Sequence, residues 1–213
     1  INRVNDGVEL ISESEEELGT FDRLIISAPA AQTAELVVNY SSLADQISKV
    51  EMNPCWAVMV SFAKPITDQW VGAFLHDSFL SWAARNSTKP GRNRDVEQLI
   101  LHASPEWTAE NWERAPDEVA NVMLSEFWRV AGIPPHPSDH LQAHRWKYAI
   151  PVDPCEARCF VDESAVLDCC GDWASGSRVE GAFLSGMAAV GRILATLSPM
   201  QKQIASRQNY LFK

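Results

Sequence analysis

Positive charge is scarce in this chain of 213 residues: 18 Lys and Arg stand against 28 Asp and Glu, giving a formal net charge of −10. General affinity for DNA or RNA needs clustered Lys and Arg that displace counterions, so that class of function is excluded and small molecules or other proteins are the expected partners. Long hydrophobic runs are missing too. The most apolar window, 182–197, is interrupted by Arg192 and falls short of the roughly 20 residues that cross a bilayer, so no membrane span is expected. Cysteine is sparse and irregular. The five, at 55, 155, 159, 169 and 170, make no even, spaced framework, which excludes a disulfide scaffold. Their spacing fits no standard zinc knuckle, and adjacent cysteines rarely share one tetrahedral ion, so no metal is expected. His136 and His140 sit four apart, but Pro134, Pro135 and Pro137 deny them a helix and they read as loop residues. Nothing compels secretion, and the compartment is read as reducing and cytoplasmic. An initiator Met is also absent, and the chain is expected to be cut from a longer protein.

What is present, 46% hydrophobic and 22% charged residues, suits a soluble globular protein with one substantial core or two smaller ones. β-Branched and apolar clusters predict strands at 8–12 and 22–28, joined by an acidic turn, Ser-Glu-Ser-Glu-Glu-Glu-Leu-Gly-Thr. Residues 31–50 predict one helix, with Leu36, Val37, Tyr40, Leu43 and Ile47 on a buried stripe. Strands follow at 55–62, 72–84 and 96–103, with a turn at 87–93, and their short connections require antiparallel pairing. A second helix starts near Pro116, whose first turn carries Asp117 and Glu118; Val119, Met123, Phe127 and Val130 share a face, and Gly-Ile-Pro-Pro stops it. Residues 141–149 predict a strand with His144, Trp146 and Tyr148 on one face and Ala143, Arg145 and Lys147 on the other. A hairpin at 158–162 and 165–170 and a helix at 179–197 close the chain. No internal repeat is present.

The segment Cys-Gly-Asp-Trp-Ala-Ser-Gly-Ser-Arg-Val-Glu-Gly-Ala-Phe-Leu-Ser-Gly, 170–186, is the most informative stretch. A strand, then Gly-Asp and a polar loop, then a helix start leaves free backbone N–H groups and the positive end of a helix dipole beyond the strand, a setting for an anion or an electron-rich group. The small residues Gly181, Ala182, Ser185, Gly186, Ala188, Ala189 and Gly191 follow. Each Gly costs about 1 kcal/mol of helix propensity against Ala, which close approach of a backbone or a flat ligand would offset. The plain alternative is a small-residue helix packed on a sheet.

These residues carry a resemblance. Residues 171–186 resemble the C-terminal flavin-contacting motif of the FAD-dependent amine oxidase superfamily, and Phe-Asp-Arg-Leu-Ile-Ile-Ser-Ala-Pro-Ala, 21–30, is similar to its strand ending in a small-Pro-small turn near the adenosine. Residues 81–92, 101–107 and 144–149 (Ser-Trp-Ala-Ala-Arg-Asn-Ser-Thr-Lys-Pro-Gly-Arg, Leu-His-Ala-Ser-Pro-Glu-Trp, His-Arg-Trp-Lys-Tyr-Ala) resemble the renalase branch, its bacterial members above all. The resemblance runs over nearly the whole chain and implies a mixed α+β and α/β protein. Residues 1–48 and 151–213 would be parts of a Rossmann-like FAD-binding domain, the latter its C-terminal part, and 49–150 a substrate domain with an antiparallel sheet. The family's GxGxxG fingerprint does not occur here. In the family it precedes the part matched, so a missing N-terminal segment of the same protein is the implied partner.

By this resemblance the cofactor is FAD. Gly171 and Asp172 would meet its ribityl and pyrophosphate region, Trp173 would pack against it, and Arg178, Val179, Glu180, Gly181 and Ala182 would set helix N–H groups at the flavin ring. Ala28 and Pro29 would lie near the adenosine, with Ile1 and Val4 reading adenine through their backbone. On the substrate side, the expected residues are His102, Trp146, Arg145 and Asn86. His102 ends an apolar strand, where it would hydrogen-bond a flat substrate, and Trp146 would stack on it. Each has a plain structural alternative, a strand-end hydrogen-bonder and a core indole. A regular strand lets only one of Arg145 and Trp146 line a pocket. The implied reaction is hydride transfer from substrate to FAD and reoxidation by oxygen to hydrogen peroxide. The implied substrate is an aberrant dihydro-NAD(P) isomer, with an ordinary amine as the alternative; a non-catalytic binding domain is the other class.

Overall fold

A computed structural model describes residues 1–4, 7–39, 41–66, 70–162 and 167–197. Strands β1 (Asn2–Val4), β2 (Gly7–Ile11), β3 (Glu17–Phe21) and β4 (Leu24–Ile26) lead into helices α1 (Ala30–Leu36) and α2 (Ser41–Ile47). Next come β5 (Met52–Phe62), β6 (Gly72–Phe74), β7 (Leu80–Arg85), a 3-10 turn at Asn86–Thr88, β8 (Glu97–Ala103), α3 (Pro105–Glu110), α4 (Pro116–Ala131) and β9 (His140–Pro151). The last elements are β10 (Phe160–Asp162), β11 (Leu167–Cys169), α5 (Asp172–Ser175) and α6 (Val179–Thr196). The chain forms two compact units, Ile1–Met52 with Ile150–Lys213, and Asn53–Ala149.

The unit built on Asn53–Ala149 is a five-stranded sheet of order β6-β7-β8-β5-β9. Strict alternation along β8 buries Glu97, Leu99, Leu101 and Ala103 and leaves Gln98, Ile100 and His102 half-buried, so the sheet has a covered face and an open one. α4 covers the first. It starts at Pro116 with Asp117 and Glu118 against the helix dipole, ends at left-handed Gly132, and buries Val119, Met123, Leu124, Phe127 and Trp128 on Val58, Val60, Phe62 and Leu101.

The other unit has an antiparallel sheet β1-β2-β3 and a second sheet β10-β11-β4, in which β11 runs parallel to β4. Its core gathers Val8, Ile26, Val37, Leu43, Ile47, Leu167 and Trp173.

Several expectations need correction. The acidic turn contains β3, whose five residues are all exposed, so its register with β2 and not burial holds it. Residues 31–50 make two helices: the β-branched pair Val37 and Val38 and Asn39 lower helix propensity, and the backbone leaves the helix at Val37, although Val37, Leu43 and Ile47 keep their buried stripe. Tyr40 and Ala165 lie outside the described residues. Residues 72–84 are a hairpin, because Asp77 takes a left-handed conformation (φ 54°) and folds β6 back on β7. α3 was not anticipated; Ser104 caps it by accepting from the Trp107 N–H at 3.2 Å, with Pro105 in its first turn. The polar loop before the last helix contains α5. Finally, α6, with 18 residues of mean hydropathy 1.2, is long and apolar enough by length and composition to cross a membrane. Arg192 Nε nevertheless donates to the buried Asp168 at 2.8 Å, and Gly181, Ser185 and Ala189 are buried, which docks α6 on β11.

Candidate functional site

β4 and β11 lie side by side and parallel, Cys169 beside Ile26, and the Cys170 N–H donates to the Ile26 carbonyl at 2.9 Å. Each then runs into a turn and a helix, so two strand carboxyl ends open at one place, where ligands of open α/β sheets bind. The two turns are fastened together. Trp173 Nε1 donates to the Ala28 carbonyl at 3.1 Å, and Thr33 Oγ1 donates to the same oxygen at 2.9 Å. Ala28 and Pro29 are thereby brought to Gly171, Asp172 and Trp173. Trp173 itself is buried and stacked on Phe160, with ring centroids 5.5 Å apart, which makes it the floor under the turns and not a surface for a cofactor. The Asp172 side chain is half-buried and accepts the Trp173 N–H at 2.9 Å, starting α5.

The mouth of α6 is open. Arg178 precedes its first turn, no side chain among the described residues caps it, and Val179, Glu180 and Ala182 are exposed, Val179 at 88%. Of the two approaches expected for the small residues, a backbone or a flat ligand, the first is present at Gly181. A Cβ at Gly181 would come within 2.1 Å of the Gly176 carbonyl oxygen, and one at Gly171 within 2.4 Å of Trp173 Nε1. Close approach therefore occurs, but from the protein's own chain. Gly176, at φ 140°, adopts a backbone that favours glycine. Ser185 ties the helix to both sides of the turn: it accepts the Gly171 N–H at 3.0 Å and donates to the Arg158 carbonyl. Ile1 packs at the margin of this unit's core, and Val4 lies in β1 opposite Gly7.

In the other unit the register gathers an aromatic face. His102 lies between Ala57 of β5 and Trp82 of β7, and Trp82 lies opposite Phe74 of β6, their rings 4.7 Å apart. On β9, His144 and Trp146 meet edge to face at 4.4 Å, and Trp146 is 54% exposed. Burial lowers the His102 pKa from its ordinary value, favouring the neutral ring. Asn86 lines a cleft of about 410 Å³ with Met59, Ser61, Arg92, Gln98 and His140. Arg145 is turned away from Trp146: its guanidinium lies over Trp112 (4.3 Å) and Trp56 (5.5 Å), and Nη1 donates to the Trp112 carbonyl. Trp56 belongs to the core on the helix-covered face, so Arg145 is not brought together with His102.

Phe74 and Trp82 are site candidates that sequence reasoning missed. No sequence alternation marks them, because the register of β7 shifts between Leu80 and Trp82. Also missed was a buried ion pair, in which Glu97 accepts from Arg85 Nε at 3.0 Å and Ser87 Oγ at 2.6 Å. Among the described residues no group of three His, Cys, Asp or Glu side chains is placed to hold a metal.

No family model matches the chain. Solved structures do share its fold. A candidate protoporphyrinogen oxidase from Exiguobacterium sp. 255-15 aligns with TM-score 0.69 and 10% identity over 90% of this chain and 45% of its own. Cyclohexylamine oxidase from Brevibacterium oxydans IH-35A aligns with TM-score 0.62 and 14% identity over 90% and 46%. Putrescine oxidase bound to putrescine gives TM-score 0.58 and 10% identity over 88% and 46%. At such identities the likeness shows the fold, a mixed α+β arrangement with antiparallel sheets, as expected. The chain spans about half the length of the proteins it matches.

Proposed function

We propose that the chain is part of a cytoplasmic FAD-dependent oxidoreductase of the amine oxidase superfamily, renalase-like, in which the unit carrying β4, β11 and α6 holds the cofactor and the five-stranded unit takes the substrate. The remainder of the cofactor site, including the dinucleotide fingerprint, would come from a further segment of the same protein. The observation that carries this reading is the shared carboxyl end of parallel β4 and β11, fastened by the Trp173 bond to Ala28, beside the uncapped and exposed start of α6.

The residues at that mouth fit a flavin. Backbone N–H groups of Val179, Glu180 and Gly181 point out of the helix start, where an electron-rich ring edge is stabilised by fixed dipoles. Asp172 is placed to accept from sugar-chain hydroxyls with the carboxylate oxygen that the Trp173 N–H leaves free, and Gly171, Ala28 and Pro29 shape the turns beneath. When bound, FAD would supply the redox chemistry, namely acceptance of a hydride from the substrate and transfer of the electrons to oxygen to give hydrogen peroxide. This chain's own part is to bind, orient and exclude water.

On the substrate face, Trp146, Trp82 and Phe74 offer stacking surfaces for a flat ring, and neutral His102 can hydrogen-bond a carbonyl or amide. Among the described residues, the cleft beside Asn86 is lined by Arg92 and His140 and by no acid. That balance suits a phosphate-bearing dinucleotide, and a dihydro-NAD(P) isomer reduced at the wrong ring carbon is the substrate proposed. An amine is the second reading, favoured by the fold shared with cyclohexylamine oxidase and putrescine oxidase. Stopped-flow mixing of the intact enzyme with dihydro-NAD(P) isomers and with simple amines separates the two. Rapid bleaching of the flavin by the isomers alone supports the first reading, bleaching by amines alone supports the second, and bleaching by neither overturns both.

A further inference from the structure

The hairpin β10–β11 pairs Phe160 with Cys169, Val161 with Asp168 and Asp162 with Leu167, so one step further the same register sets Cys159 opposite Cys170. The Cys170 N–H donates to Ile26 on β4 and so points away from β10, which makes Cys159 and Cys170 a pair of the kind without mutual backbone bonds. In antiparallel strands such pairs bring their Cα atoms to about 4.5 Å with side chains on one face. That lies inside the span a disulfide bridges. Two further features agree with this pairing. Asp168, two residues before Cys170 on the same face of β11, is bound by Arg192 of α6, so this face looks onto α6. Burial raises the Cys170 pKa, and the neighbouring Cys159 raises it further. Cys169 points to the opposite face and is fully buried in the core.

We propose that Cys159 and Cys170 are a reversible thiol pair, oxidised by a peroxide to a cross-strand disulfide that staples the end of β10 to the turn before Gly171. Both are free thiols here, Cys159 half-buried and Cys170 buried. Cys159, the more accessible, attacks the peroxide: its sulfur gains an oxygen as a sulfenic acid and one water leaves. The Cys170 sulfur then displaces that oxygen as a second water, forming the S–S bond. In sum, two thiols and one hydrogen peroxide give one disulfide and two waters. The staple would act where Ser185 already joins the Gly171 N–H to the Arg158 carbonyl, and so would fix the turn that leads to α6. Burial holds the Cys159 thiol up, so attack is slow at neutral pH and rises about tenfold per pH unit with the thiolate fraction.

The test is made on the intact protein with hydrogen peroxide added as reagent, so it does not depend on oxidase activity. After peroxide, quenching and alkylation in denaturant, peptide mass mapping is expected to find Cys159 joined to Cys170, with the loss of two hydrogens and full reversal by dithiothreitol. Cys155→Ser retains the link, and Cys159→Ser and Cys170→Ser each lose it. Alkylation of both cysteines after peroxide, a link between another pair, or irreversible oxidation of Cys159 alone would overturn the proposal. Because the decisive reading is taken on the unmutated protein, a variant that fails to fold leaves the test intact.

Discussion

The indole of Trp173 donates to the carbonyl of Ala28, 145 residues earlier in the sequence, and this bond joins the two turns that follow the parallel strands β4 and β11. Because Thr33 Oγ1 reaches the same oxygen, losing the indole donor does not orphan the carbonyl. Trp173→Phe is therefore expected to cost about 1 kcal/mol, the net worth of one hydrogen bond. Trp173→Ala, which also empties the floor beside Phe160, is expected to cost about 3–5 kcal/mol. Denaturant midpoints with unchanged slopes measure both, and equal losses in the two variants would show that the emptied floor adds nothing to the lost hydrogen bond.

Two glycines in α6 are expected to respond with opposite sign. Gly181→Ala drives a methyl against the Gly176 carbonyl, where backbone must shift, so an overpacking loss of about 1–3 kcal/mol outweighs the helix gain. A Cβ at Gly191 would meet nothing within 4 Å among the described residues, and Gly191→Ala is expected to stabilise by up to about 1 kcal/mol. Thermal unfolding of the two variants side by side reads the contrast.

The buried pair Arg85 and Glu97 makes a third case. Glu97→Gln leaves the Arg85 guanidinium without its countercharge, and a loss of about 3–5 kcal/mol is expected. The double variant Arg85→Met, Glu97→Leu removes both charges and is expected to recover most of it. A double variant less stable than Glu97→Gln alone would contradict the account.

Much of the fold was legible. Sequence patterning found α4, α6 and the strands β5, β8 and β9 of the larger sheet, and it separated Arg145 from Trp146, because alternation and the i, i+4 stripe are local properties of the chain. What sequence could not supply was register. Whether 72–84 is a strand or a hairpin turns on one left-handed residue, Asp77, which sets Phe74 opposite Trp82, and the opposition of Trp82 and His102 follows from the separate register of β7 on β8. The glycines were legible as sites of close approach, yet the approaching groups, Gly176 and Trp173, are set by the fold. The parallel pairing of β4 with β11, 143 positions apart in register, leaves no local signal at all.

Stability should vary with pH through His102. Burial lowers its folded pKa below the ordinary value of 6.5, so the unfolded chain binds a proton first. Above pH 6.5 the ring is neutral in both states and costs nothing. As pH falls through 6.5 toward the lower folded pKa, stability is lost, and below that value the loss is constant. His102→Gln is expected to remove this part of the slope in denaturant midpoints taken across the window. An identical slope in the variant would place the proton uptake elsewhere.

Flavin content tests the central claim most directly. Ala182 lies at the exposed mouth of α6, so Ala182→Glu should leave the fold intact while setting a carboxylate where an electron-rich ring is proposed to rest. The measurement is the visible flavin absorbance per protein chain after desalting of the intact protein. One FAD per chain in the unmutated protein, falling several-fold in Ala182→Glu with an unchanged melting temperature, is the expected result. An intact protein without flavin, or a variant that keeps its full complement, would contradict it.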